Sequence, residues 1–174
     1  MRGFLISVAL AALMAACSPP ASQQQSEAPE APVPELACNT VAPDSARQVA
    51  ITDSEGVASA ASDLRGGSLT PGIYDLVRAT RIGAPSGWQN TQAVAIEISE
   101  SAEGVVTLNW VGAPQQGQVD RWTAEFREQP QRIAFTCGRI GEVEAQFQAS
   151  GNALELRLPD GANGALLLNF ERRA

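Results

Sequence analysis

From Gly66 to the end of the chain, apolar residues fall on every second position. Ile73-Tyr74-Asp75-Leu76-Val77-Arg78 opens the series, and Val94, Ile96 and Ile98 continue it. Val106, Leu108 and Trp110 follow, then Trp122, Ala124 and Phe126, then Ile133, Phe135 and Cys137. Val143, Ala145 and Phe147, then Leu154, Leu156 and Leu158, and finally Leu166, Leu168 and Phe170 complete it. The positions between them carry residues such as Glu97, Asn109, Thr123, Glu144, Arg157 and Asn169. A period of two with one apolar side is the pattern of a strand packed on one face. Gly-, Pro-, Asn- and Ser-rich breaks separate the segments, among them Ala84 to Gly87, Gly112 to Gly117, Gly138 to Gly141 and Pro159 to Gly164. The expectation is an all-β domain: eight antiparallel strands in an up-and-down meander, closed as a barrel so that no edge stays open, or flattened into a sandwich.

Upstream of Gly66 the period changes. Thr52-Asp53-Ser54-Glu55 fits a capping box, and Val57, Ala61 and Leu64 fall on one helical stripe, so one short helix is expected before the first strand. Residues Ser18 to Glu35 (SPPASQQQSEAPEAPVPE) show no period and hold one bulky apolar residue. Such a stretch buries too little apolar area to offset its ordering entropy and reads as an extended linker. Met1-Arg2 followed by the apolar run Phe4 to Met14 has the form of an export signal, too short for a membrane-spanning helix. The expected organisation is a leader over 1–16, a tether over 17–37 and a β domain over 38–174.

The leader ends in Met14-Ala15-Ala16-Cys17, which resembles the lipobox of bacterial lipoproteins. The resemblance implies cleavage before Cys17, diacylglycerol on its thiol and acylation of the new amino group. At about 0.8 kcal/mol per buried methylene, several acyl chains form an effectively permanent anchor. Ser18 after the cysteine implies, by likeness to enterobacterial sorting, the periplasmic face of the outer membrane. Cys38 and Cys137 remain for an oxidising compartment, where an even pair is usually bonded, so a Cys38–Cys137 disulfide is expected. They lie far apart in sequence, without a C-x-x-C motif, which argues against redox or zinc chemistry.

Composition removes much enzyme chemistry. The chain has no His, and all twelve of its basic residues are Arg. The commonest general base, Schiff-base chemistry, a phosphate-loop lysine and a Ser–Lys dyad are therefore excluded. A net charge of −7 speaks against nucleic acid as a partner. Glu142 and Glu144, and Glu97, Glu100 and Glu103, are read as solvated acids on polar strand faces and turns, not a catalytic pair. Asp160-Gly161-Ala162-Asn163-Gly164 lacks the spacing of a calcium loop and reads as a hairpin turn. Arg121, Arg127, Arg132 and Arg139 alternate with acids, as on a solvated face. Trp110 and Trp122 are in phase with the core. Trp88, in a Gly-Ser-Pro loop, is the candidate partner contact. No catalytic residue, metal or cofactor is assigned.

Gly66-Gly67-Ser68-Leu69-Thr70-Pro71-Gly72-Ile73-Tyr74-Asp75-Leu76 resembles the GG-x-[IL]-x-x-G-x-Y-x-L opening of uncharacterised bacterial lipoproteins with lipocalin-like or META-like barrels. Gly151-Asn152-Ala153-Leu154-Glu155-Leu156 is similar to their late hairpin. The resemblance implies a fold and an address, with no agreed activity. A looser likeness is to lipoprotein inhibitors of bacterial metalloproteases, whose close cysteines and paired-Trp signature this chain lacks. The functional expectation is a non-catalytic, lipid-anchored envelope module that contacts an envelope protein or cell-wall component. The alternatives are a lipocalin-like carrier of a small apolar ligand and, by the looser likeness, a protease-inhibitor lipoprotein. Eight strands enclose an interior that side chains can fill, which favours the module. A cavity of several hundred Å³ would reverse that order.

Overall fold

The computed structural model describes residues 37–54, 64–84, 88, 90–128 and 131–174. Ten strands lie among them: β1 (Val49–Ser54), β2 (Gly72–Ala84), β3 (Thr91–Glu100), β4 (Val106–Pro114) and β5 (Asp120–Glu128), then β6 (Gln131–Cys137), β7 (Glu142–Glu144), β8 (Gln146–Ser150), β9 (Ala153–Asp160) and β10 (Asn163–Arg172). They form one sheet in the order β7-β6-β5-β4-β3-β1-β2-β10-β9-β8. The all-β expectation holds; seven of the eight expected strands contain their predicted apolar positions, and the eighth, over 143–147, is divided between β7 and β8 with Ala145 between them. The inward residues of the sheet make one core, in which Leu76, Ile96, Ile133, Leu168, Trp122 and Phe170 are essentially inaccessible to solvent.

The closed barrel does not form. β7 and β8 are the two edges of the sheet, and they are consecutive in the chain, joined only by Ala145. The segment 143–147, expected as one strand, is divided: β7 pairs with β6 and β8 with β9. Buried Ala145 is the break: its N–H goes to the Gln131 carbonyl, and the chain then changes partners. The sheet therefore rolls around its core, with the last step made by the covalent chain instead of a ladder.

The second departure is β1. Thr52, expected to cap a helix, lies in a strand, and its hydroxyl donates to the Ala79 carbonyl at 3.1 Å. The rest of the expected helix, over 55–63, lies outside the described residues. β2 and β3 pair only from Gly72–Asp75 to Ala95–Ile98 and then diverge. β1 fills the fork, antiparallel to β3 at Val49 and Ala50 and parallel to β2 from Ile51 to Ser54. Without it, the facing backbone groups of β2 and β3 would have no ladder partners. Val49 and Ile51 turn inward onto the core.

Residues 37–44 cross the outer face of the sheet as a strap. Asn39 Nδ2 donates to the carbonyls of Trp110 and Trp122 at 3.1 and 3.0 Å, and Arg121 Nη1 donates to the Val41 carbonyl at 2.6 Å. Val41 is buried against Ala95 and Val111 in a small second core. The strap is bonded to β6 by a Cys38–Cys137 disulfide with 5.5 Å between the Cα atoms. Cys137 was expected on the inward beat of Ile133 and Phe135. A bulge between Thr123 and Ala124 sets it opposite Thr123 instead, on the strap side.

Candidate functional site

One end of the rolled sheet is hollow. The strand ends Pro114, Asp120 and Asp160 surround a cavity of about 390 Å³, together with Trp88 and Arg139 from the loops. The cavity was not expected, because inward Leu, Ile, Phe and Trp on nearly every strand suggested a filled interior.

Its floor is aromatic. Trp110 and Trp122 are cross-strand partners on β4 and β5 and stack with 5.2 Å between ring centroids and 7° between planes. Phe170 meets Trp110 edge-on and Phe135 meets Trp122 edge-on, which fixes the pair in place. Leu158, Leu166, Leu168, Ile133 and Val143 line the remaining sides. Both tryptophans are core residues as expected, but one side of each also borders the cavity.

The rim is built by the same alternation carried one step further. On β9 the inward beat runs Leu154, Leu156, Leu158 and then Asp160. Asp160 was expected in a hairpin turn. The turn is only Gly161-Ala162, so Asp160 is the last strand residue, 5% exposed and paired with Gly164 of β10. Its Oδ2 is buried without a hydrogen-bond partner. The signal was present in the sequence as the fourth member of the Leu-x-Leu-x-Leu-x-Asp beat.

On β5 the beat Phe126, Ala124, Trp122 ends in Asp120, which stands opposite Gly112 of β4. Asp120 is half exposed and accepts from Arg139 Nη2 at 2.8 Å. The Arg139 guanidinium also lies 6.0 Å from the Trp122 ring and 5.9 Å from the Phe135 ring. Gly112 leaves space here: a Cβ on it would sit 3.2 Å from Trp110 Nε1 and 3.1 Å from Gln92 Oε1. Trp110 Nε1 is buried and has no acceptor.

Trp88, the candidate partner contact, is half-buried at the cavity mouth and packs against the core. Its indole N–H donates to the Asn90 carbonyl at 3.2 Å, and its own carbonyl accepts from Arg81 Nη1 at 3.1 Å. Cys38 and Cys137 lie on the outer face, away from the cavity lining. Cys17 lies outside the described residues.

The acids singled out in the sequence are not brought together. Glu142 bonds Arg127 at 2.9 Å, with Arg132 at 3.7 Å, and Glu144 accepts from Gln146. Glu97 accepts from Asn109 at 3.0 Å. The Ser101 hydroxyl and the local backbone hold the exposed Glu103 carboxyl below its ordinary pKa. Among the described residues, no group of three or more metal-ligating side chains converges, and no helix is long and apolar enough to cross a membrane. Comparison of the chain with protein-family models, curated proteins and solved structures gives no match in any of the three.

Proposed function

We propose that this chain is a lipid-anchored, non-catalytic protein of the bacterial envelope that holds a small, largely apolar molecule at the open end of its sheet. The observation that carries the reading is the cavity of about 390 Å³ floored by stacked Trp110 and Trp122. Ligand sites are commonly about 300–1,000 Å³, mostly apolar, with a few polar groups that set orientation. Here the polar groups are Asp160, Trp110 Nε1 and the Asp120–Arg139 pair. The carrier reading therefore ranks above the interaction module. The export signal and the lipobox-like Met14-Ala15-Ala16-Cys17 support the anchor and the address.

The test is titration of the detergent-solubilised chain with N-phenyl-1-naphthylamine, a neutral apolar probe that brightens when it leaves water. Saturable binding at one site per chain is expected, with quenching of tryptophan fluorescence. Val143→Phe, which places a larger ring in the cavity wall, should weaken it at least tenfold. No saturable signal above that of protein-free micelles, into which the probe also partitions, or a saturable signal that Val143→Phe leaves unaltered, refutes the reading.

A further inference from the structure

We infer that the molecule taken by this cavity is an organic monocation, an apolar or aromatic body with one ammonium-type group that Asp160 receives. The inference rests on the ligand-binding reading above and adds the chemical class. Asp160 is 5% exposed, it ends the inward beat of β9, and its Oδ2 has no hydrogen-bond partner. A carboxylate taken out of water without a partner is strongly unfavourable, and it is kept where something completes it. Among the described residues, nothing in the lining does so. Arg139 is the one cation among the described lining residues, and it is held by Asp120 and the faces of Trp122 and Phe135. The chain has neither Lys nor His to offer in its place.

The partner group must then come with the ligand. A bare metal ion fits poorly, since among the described residues no group of three or more metal-ligating side chains converges and the walls are largely aromatic and aliphatic. An alkyl- or arylammonium group fits both parts. Its N–H donates to the Asp160 carboxylate, and its body lies against Trp110, Trp122, Leu158 and Leu168 in the cavity lining. Gly164 opposite Asp160 leaves the carboxylate unobstructed by a cross-strand side chain. The free Trp110 Nε1–H suits a hydrogen-bond acceptor elsewhere on the same molecule. A net charge of −7 favours the approach of cations.

Three probes that share one ring and differ in head group decide the matter: 1-naphthylmethylamine, 1-naphthalenemethanol and 1-naphthoate. They are titrated calorimetrically into the detergent-solubilised full chain. The amine should bind at least about tenfold more tightly than the alcohol, the scale of one charge-assisted hydrogen bond, with the naphthoate weakest. Asp160→Asn should abolish the preference for the amine over the alcohol. If that variant does not fold, the head-group order on the unaltered chain still decides. An alcohol or naphthoate that binds as well as the amine overturns the inference and leaves the ligand-binding reading standing. So does failure of all three probes where N-phenyl-1-naphthylamine binds. Failure of all four removes both.

Discussion

Cys137 meets its partner because one extra residue in β6 moves it off the inward beat. The bulge opposite Thr123 presents its sulfur to the strap, and Gly138 makes the approach possible. Gly138 has φ +78°, and a Cβ there would lie 2.3 Å from the Arg121 carbonyl and 3.1 Å from Cys38 Sγ. Only glycine fits that corner. In protein isolated without reductant, both cysteines should resist alkylation until a reductant is added. Reduction should then lower the melting temperature by about 10 °C, since closing so long a loop contributes roughly 3–5 kcal/mol. Two thiols that react without reductant would contradict the bond. Cys17 makes the opposite prediction: Cys17→Ser should abolish labelling by radioactive palmitate, and persistent labelling would place the lipid elsewhere.

At the scale of elements, the two-beat pattern located seven of the eight expected strands whole because a buried face imposes alternation on the sequence. It failed where that rule is locally suspended. β1 offers only Val49 and Ile51 before polar residues that also suit a helix start, so its strand state is set by the fork between β2 and β3. The inward beat of 143–147 runs through Ala145 unbroken, and the change of partner there leaves no mark in side-chain polarity. Asp160 was hidden for a different reason: Asp, Gly and Asn are turn formers, and the actual turn is shorter than their cluster. The cavity could not be read at all, because alternation assigns residues to faces and says nothing of how much volume they leave. The strap offers a prediction at this scale. Asn39→Ala removes both hydrogen bonds to the Trp110 and Trp122 carbonyls and should cost about 2 kcal/mol, read as a lower denaturant midpoint. An unchanged midpoint would mean that Val41 and the disulfide hold the strap unaided.

Over the whole molecule, the apolar interior divides into a filled part and a hollow one. Phe126 and Phe147 pack edge-on at 4.9 Å in the filled part, with Leu154 and Leu156 in the same core. Toward the β9–β10 turn the same strands present Gly112, Gly164 and two aspartates, and packing gives way to space. The C-terminus closes the opposite side of the design: Arg173 makes a bidentate pair with Asp75, which is almost wholly buried, and its Nη2 also reaches the Ala42 carbonyl of the strap. That pairing raises the pKa of Arg173 above its ordinary value. The start of β2, the chain just after β10 and the strap are thereby fastened at one place, and the hollow end is left free of that constraint.

The strap also decides how the domain bears load. A pull on the chain ahead of Cys38 does not peel the strap away strand by strand. It enters the sulfur bridge and passes at once to the end of β6, so everything between Cys38 and Cys137 is shielded from extension. Stretched between its two ends, the oxidised domain can lengthen only through residues 138–174, roughly 130 Å of chain, whereas the reduced domain can release roughly 470 Å. Single-molecule pulling with and without reductant should give these two lengths, and a long release from the oxidised protein would show that the bridge does not carry the force.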